Sequence, residues 1–322
     1  MRELVNLSNA ACDNESLLGN AEGALGSFLR EEGPEGVELL PCGPWNPALH
    51  PASLVYGVHL RYWPSWAAFF LGNGSALRRE FPRPEDVRAC YGADNPEAWL
   101  SLLRAHIREA LAPAPEYLVF HVADAPSYGL YTRRFPYDDI TVTDAAAALL
   151  NEVTDELPEG CLLLLENLWW PGLTLTDPEI AERLLRTIHH RPTGFMLDTG
   201  HLMHTEHTLS DEEEAAEYVV RVYRGLGSLG EYVKGLHLHQ SLTGDFVRRM
   251  MREHGKEARP LSPEACMDYV LATDPHLPFR TSAARRIMEA VRPDYLVHEF
   301  MAVSRGDWRE KLRTQRRALG FV

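Results

Sequence analysis

The chain has 322 residues, of which 45% are hydrophobic and 24% charged, and 46 acidic against 32 basic residues give a formal charge of −14. This is the composition of a globular protein, and its acidic balance argues against a nucleic-acid partner, because affinity for a phosphate backbone comes mainly from lysine and arginine. The apolar runs are far shorter than the roughly 18 residues of a membrane span, and the amino terminus lacks a basic segment followed by an apolar one. The sequence therefore predicts a cytoplasmic protein with no membrane partner.

The cysteines are few and scattered, without a Cys-x-x-Cys pair: Cys12, Cys42, Cys90, Cys161 and Cys266. This pattern predicts neither a disulfide scaffold nor a zinc site built from thiolates. Unreactive thiols are the expected state of such residues.

Short apolar, β-branched runs recur along the chain, and each is followed by a polar loop. Eight of them are predicted as strands: Leu4 to Ser8, Val37 to Pro41, Leu54 to Leu60, Tyr117 to Ala123, Cys161 to Asn167, Gly194 to Gly200, Val233 to His239 and Tyr295 to Phe300. Most are almost continuously apolar, which is typical of strands that are buried on both faces of a parallel sheet.

Helical periodicity occupies the stretches between the strands. The predicted helices are Pro96 to Leu111, Asp144 to Leu157, Asp177 to His189, Ser210 to Leu226, Ser282 to Val291 and a basic amphipathic tail helix from Ser304 to Arg317. Strand and helix alternating eight times predict an α/β fold, a single (β/α)8 TIM barrel spanning residues 1–322, with an open doubly wound sheet as the alternative. Long loops at the C-terminal face of the barrel are expected at Arg61 to Asn95, Asp124 to Thr143 and Gln240 to Ser262.

Six consecutive predicted strands end in a histidine, aspartate or glutamate. These residues are His59, His121, Glu166, Asp198, His237 and Glu299, and His201 follows the sixth strand closely. The carboxyl ends of barrel strands meet at one rim, where buried carboxylates need a compensating cation. Mixed imidazole and carboxylate ligands without thiolates suit divalent Mn, Zn, Fe or Co. The sequence therefore predicts a metal site of one to three ions at this rim.

Two of these residues are only three positions apart in the segment LDTGH, Leu197 to His201. Asp198 ends the predicted strand, and Gly200 is expected to let the chain turn so that His201 returns over the same rim. One loop would then supply two groups to the site.

The strand ends ENLWW (Glu166 to Trp170), LDTGH, VKGLHLHQS (Val233 to Ser241) and HEF (His298 to Phe300) resemble those of the xylose isomerase-like TIM-barrel superfamily. This superfamily contains sugar phosphate isomerases and epimerases together with the endonuclease IV-like proteins, which form AP endonuclease family 2. The resemblance covers nearly the whole chain in strand order. It implies the barrel fold and a metal-dependent enzyme, and it does not select the reaction.

Similarity to the epimerases implies one metal ion held by Glu166, Asp198, His237 and Glu299. The implied catalytic residues are Glu166, Glu299 and His201. The two glutamates would flank a bound sugar and move a proton next to a metal-bound carbonyl, while His201 contacts the substrate.

Similarity to endonuclease IV implies a larger site with two or three ions. His59, His121 and His201 would join the ligands, and Asp274 and His276 could supply an Asp-x-His pair. This chain has His239-Gln240 where that pattern has Asn-Asp, and its insertion between His237 and Asp274 is longer. A simple turn ahead of a helix is the alternative interpretation of Asp274.

Several residues near the rim are candidates for substrate contact: Arg61, Trp63, Trp169, Trp170 and His239. Aromatic side chains form walls of sugar sites, but they also cap barrel ends, and an arginine can bind an anion or form a surface ion pair. The preferred hypothesis is a metal-dependent isomerase or epimerase of a small sugar or sugar derivative. The alternatives are an endonuclease IV-like multi-metal phosphodiesterase, an iron-dependent oxidase with the same ligands and a metal-binding protein without activity. The oligomeric state stays open, a homo-oligomer included.

Overall fold

The computed structural model describes residues 1–256 and 258–322. Residue 257, within the loop expected from Gln240 to Ser262, lies outside the described residues. The described residues form a closed barrel of parallel strands in the order β1 to β8. The strands are β1 (Arg2–Ser8), β2 (Gly36–Leu40), β3 (Val55–His59), β4 (Tyr117–His121), β5 (Leu162–Glu166), β6 (Thr193–Asp198), β7 (Val233–Leu238) and β8 (Tyr295–His298). The predicted barrel is confirmed.

Apolar side chains fill both sides of the strands. Inside the barrel, Leu4, Tyr117 and Leu164 belong to a cluster of buried residues contributed by β1, β4, β5, β6 and β8. A larger core lies between the strands and the surrounding helices. Every residue of β6 is buried, which explains why the run from Thr193 to Asp198 shows no alternation of polar and apolar residues.

Helices surround the barrel: α1 (Ala11–Leu18), α2 (Ala24–Glu32), α3 (Ala67–Phe70), α4 (Gly74–Glu80), α5 (Pro84–Tyr91), α6 (Pro96–Ala110), α7 (Asp139–Val153), α8 (Pro178–Thr187), α9 (Thr199–Met203), α10 (Glu212–Gly225), α11 (Gly244–His254), α12 (Pro263–Thr273), α13 (Ala283–Val291) and α14 (Arg305–Leu319). Short 3-10 turns span Ala52–Leu54, Ser127–Gly129, Thr154–Glu156 and Gly227–Tyr232.

The predicted helices are present with small shifts at their ends, and α7 differs most. It begins at Asp139, five residues before the predicted start, because the Asp138 side chain accepts a hydrogen bond from the Thr141 amide and caps the helix there.

The stretches expected as long loops are partly helical. Helices α3, α4 and α5 lie between Arg61 and Asn95, and α11 lies within the third stretch. Asn73 caps α4, and Pro84 occupies the first turn of α5. Helices this short carry too little periodicity to be predicted, and their positions are set by the barrel on which they pack. Among the described residues, no helix has both the length and the apolar character needed to cross a bilayer.

A candidate metal centre at the barrel rim

The strand ends converge on one buried cluster. His59, His121, Glu166 and Asp198 are the last residues of β3, β4, β5 and β6, while His237 is the penultimate residue of β7 and Glu299 follows β8. The strand register pairs His121 with Glu166 and Asp198 with His237, so these side chains lie at one level of the barrel. All six predicted strand-end residues therefore meet, as parallel strands require.

Glu166 lies at the centre of this cluster and is fully buried. Its Oε2 lies 2.9 Å from His59 Nε2, and its Oε1 lies 3.1 Å from His121 Nε2. The same Oε1 lies 3.1 Å from His201 Nδ1 and 3.4 Å from His237 Nδ1. His59, His121 and Glu166 form a compact group with ligand atoms close enough to share one ion, and Glu166 is also part of a second such group.

The second group joins Glu166 to Asp198 and His237, with Glu299 beside it. His237 Nδ1 lies 3.6 Å from Asp198 Oδ2 and 3.1 Å from Glu299 Oε2. These four residues are the set that similarity to the epimerases implies for a single ion.

A third group contains His201, Asp274 and His276. His201 Nε2 lies 3.1 Å from Asp274 Oδ2, and His276 Nδ1 lies 3.6 Å from the same oxygen. The segment carrying Asp274 and His276 is held over the rim by paired backbone hydrogen bonds between Gln240 and Leu277. The Asp-x-His pair therefore reaches the cluster despite the long insertion before it.

His239 is completely buried beside the second and third groups, and it forms a fourth group with His276 and Glu299. Its Nε2 lies 2.9 Å from Asp198 Oδ2, and its ring stacks on His276 with centroids 4.1 Å apart. Gly200 lies in α9 without a positive φ, so the expected sharp turn is not the reason for glycine here. A Cβ at Gly200 would instead overlap the His239 ring. Glycine makes room for that histidine.

Two further residues support the cluster, and the sequence patterns predicted neither. Glu38 on β2 is buried, and its carboxylate lies 2.9 Å from His237 Nε2 and accepts a 2.8 Å hydrogen bond from the Tyr117 hydroxyl. Asn167 is fully buried, accepts a hydrogen bond from the Asp198 amide and donates one to the Asp198 carbonyl. Two sequence features could have indicated them: Glu38 is a lone carboxylate inside the apolar run VELLP, and Asn167 is a polar residue directly after Glu166.

Burial and opposite charge compete in setting the protonation of the cluster. Burial raises the pKa of the Glu166 carboxyl, but the facing imidazoles of His121 and His237 outweigh burial and hold this pKa well below its usual range. Burial lowers the pKa of His237, but Glu299 and Glu38 outweigh it and raise this pKa well above its usual range. The carboxylates thus favour positive charge in their midst, which either protons or a metal ion supplies.

The hydrogen bonding of the cluster fits a metal ion. Glu166 Oε1 is buried and makes no hydrogen bond, although three imidazole nitrogens surround it. His237 Nδ1 and Glu299 Oε2 lie 3.1 Å apart, and neither makes a hydrogen bond. Buried polar atoms are normally hydrogen-bonded, so converging atoms without such bonds point to a ligand that is not part of the chain. The nitrogen and oxygen donors suit a divalent transition metal.

A cavity of about 800 Å³ opens beside the cluster. Its lining includes His59, His121 and Glu299 from the cluster and Arg61 from the substrate candidates. This volume falls in the range of small-molecule sites, roughly 300–1,000 Å³.

The other substrate candidates are not among the described residues that line this cavity. Trp63 is buried, and its indole N–H donates to the Cys90 carbonyl. Trp169 and Trp170 belong to a separate buried cluster, and the Trp169 ring lies 5.2 Å from that of His201. Of the substrate candidates, Arg61 alone is placed to touch a molecule in the cavity, as far as the described residues show.

No protein-family model and no curated sequence matches this chain. Solved structures do resemble it. Endonuclease IV from Thermus thermophilus superposes with a TM-score of 0.55 at 17% identity, covering 100% of both chains. A D-tagatose 3-epimerase-like protein gives a TM-score of 0.52 at 15% identity, covering 100% of this chain and 98% of the other. The probable 3-DHS dehydratase AsbF from Bacillus anthracis gives 0.51 at 12% identity, covering 98% of each chain. At such identities the similarity shows the fold, which is the barrel that the strand-end motifs predicted.

Proposed function

We propose that this chain is a multi-metal hydrolase of small-molecule phosphate esters. The observation that carries the proposal is the presence of four overlapping ligand groups at one rim, two of which share Glu166 and two of which share His276. A single-metal isomerase needs only the second group, whereas further groups beside it are the arrangement of multi-metal hydrolases.

The proposed ligands are His59, His121 and Glu166 in the first group, Glu166, Asp198, His237 and Glu299 in the second, and His201, Asp274 and His276 in the third. When bound, divalent ions at such a site lower the pKa of a water molecule and offset charge on a phosphoryl group.

The surroundings of Glu166 favour hydrolysis over isomerisation. Proton transfer between two carboxylates requires both to face the substrate. Glu166 is fully buried, and His59 and His121 approach its two oxygens. Glu299 lines the cavity and keeps 16% of its side-chain surface exposed. Glu299 is thus the carboxylate with access to substrate, and Glu166 is better suited to hold ions than to move protons. A metal-dependent isomerase or epimerase remains the alternative function, and the second ligand group supports it.

The cavity and the charge of the chain favour a small substrate over nucleic acid. The cavity has about the volume of a small-molecule site, and a chain with a formal charge of −14 repels a polyanionic backbone. Sugar epimerases share this fold, which makes a sugar phosphate the first class of ester to test.

Metal content and hydrolysis, measured together, test the proposal. Protein purified without added metal is analysed for metal atoms per chain, and hydrolysis of bis(4-nitrophenyl) phosphate and of sugar phosphates is measured after loading with Mn or Zn. We expect two or three ions per chain and metal-dependent hydrolysis. Asp274→Asn should lose one ion and most of the activity, while the matched surface variant Asp245→Asn, whose side chain is 96% exposed, should keep both. One ion per chain together with epimerisation of a ketohexose would overturn the proposal.

A second candidate, an iron-dependent oxidase, is supported by one specific observation. The first and third groups each consist of two histidines and one carboxylate, the ligand set typical of non-haem iron oxygenases. Two or three irons in protein as purified, with oxygen consumption and no ester hydrolysis, would favour this candidate over the hydrolase.

A further inference from the structure

We infer that the substrate carries a second anionic group, a carboxylate or a phosphate, which Arg61 binds in the cavity wall beside α6. The inference deepens the proposed function and rests on it for the position of the reacting group at the metal centre. It predicts a class of substrate, small molecules with two acidic groups.

Arg61 is exposed at the cavity, and an aromatic ring positions its side chain. Its guanidinium carbon lies 4.7 Å from the centre of the Trp63 ring, in a cation–π contact. Trp63 is itself fixed, because its indole N–H donates a 3.1 Å hydrogen bond to the Cys90 carbonyl and its ring packs edge-on against Trp99 at 5.4 Å. A buried aromatic ring thus serves as a platform for an arginine at the cavity.

The Arg61 charge has no partner among the residues that the structure describes. None of their carboxylates lies within 4 Å of its guanidinium, and Arg61 makes no hydrogen bond to them. Glu109 on α6 lines the same cavity, but it is exposed and outside ion-pair distance. An arginine fork without a partner, facing a cavity, suits a carboxylate or phosphate, which it can bind through two parallel hydrogen bonds.

His106 on α6 completes this wall without adding charge. Its ring stacks on Trp63 with centroids 5.7 Å apart, and it lines the cavity. Burial, together with the nearby Arg61, lowers the pKa of His106, so the imidazole is neutral at pH 7. Arg61 is therefore the cation of this wall.

Part of the cavity lining is acidic. Glu38 and Glu299 belong to it, and an anion has nothing to bind beside them unless metal ions compensate their charge. A substrate with one acidic group at the metal centre and another at Arg61 would match both the metal ligands and the guanidinium. A neutral tail would leave the guanidinium unpaired.

Binding without turnover tests the inference, so its outcome can be separated from that of the proposed function. Isothermal titration of the metal-loaded protein uses dicarboxylates from succinate to adipate, phosphonocarboxylates of the same lengths and the matching monocarboxylates. We expect one chain length of dianion to bind at least tenfold more tightly than its monoanion. Comparing the two dianion series distinguishes a carboxylate from a phosphate partner of Arg61.

Three variants assign the preference to Arg61. Arg61→Gln should abolish the tenfold preference and leave monoanion affinity unchanged. Glu109→Gln should strengthen dianion binding, because it removes a like charge, and Arg252→Gln on the exposed face of α11 should change nothing. Equal binding of dianions and monoanions at every length, no binding of any probe, or a preference that survives in Arg61→Gln would overturn the inference. Failure to hydrolyse phosphate esters would not affect these measurements.

Discussion

Replacing Gly200 by alanine tests whether the site depends on the close packing of α9 against His239. The added Cβ would lie 2.9 Å from His239 Nε2 and closer still to two other ring atoms, Nδ1 and Cε1. His239 is fully buried, so its ring has no free space to enter. The ring must leave its position against Asp198, where the hydrogen bond to Oδ2 is 2.9 Å long.

Two unfavourable effects and one favourable effect contribute to the expected change in the free energy of unfolding. Overpacking a dense core costs about 1–3 kcal/mol, and losing a hydrogen bond to a charged group costs about 1.5–3 kcal/mol. Alanine gains about 1 kcal/mol over glycine within a helix, and the φ of Gly200 is not positive, so the backbone accepts alanine. We expect Gly200→Ala to lower the free energy of unfolding by about 1.5–5 kcal/mol.

The assay is urea unfolding of the metal-free protein in chelator, so that metal affinity does not enter the stability. The same substitution is made in a His239→Ala background, where the ring that the added methyl group would meet is gone. There the substitution should be neutral or should stabilise by up to about 1 kcal/mol. An equal loss of stability in both backgrounds would refute the packing argument, and so would a Gly200→Ala protein as stable as the parent.

Three further predictions concern metal retention, support of the rim and pH. Asp198→Asn should abolish metal retention and activity, and a fully active variant with its full metal content would remove Asp198 from the ligands. Gln315→Leu should lower the free energy of unfolding by about 2–5 kcal/mol, because Gln315 accepts a hydrogen bond from the Phe279 amide and donates one to the Leu238 carbonyl. An unchanged midpoint of urea unfolding would contradict this prediction. Burial raises the pKa of Asp124 to about 6. Ionisation of Asp124 therefore destabilises the folded state as pH rises from about 4 to 6, and the stability of the parent relative to Asp124→Asn should fall by about 2 kcal/mol between pH 4 and pH 7. A constant difference across this range would show that Asp124 titrates normally.

The barrel and the core of the candidate site could be predicted from the sequence alone. Eight apolar runs in chain order specify parallel strands, and parallel strands bring their carboxyl ends to one rim. Glu166 and Asp198 end their strands, and His237 lies one residue before the end of its own. Their proximity follows from strand direction alone, without any knowledge of loops.

The residues outside the strands that join the cluster are set by contacts between distant segments. Asp274 and His276 reach it because Gln240 and Leu277 pair across the rim, a contact that no local pattern encodes. No local pattern explains Gly200 either, because the ring for which glycine makes room belongs to His239, which is distant in sequence.

Tertiary packing also determines which of the substrate candidates line the cavity and which are buried in the core. Trp63 and Arg61 are two residues apart, yet the tryptophan is buried in the core and the arginine lines the cavity. Strand ends are ordered by the periodic hydrogen bonding of the sheet, which a sequence encodes locally. The path of a loop and the burial of its side chains depend on contacts between distant segments, and these exist only once the barrel has closed.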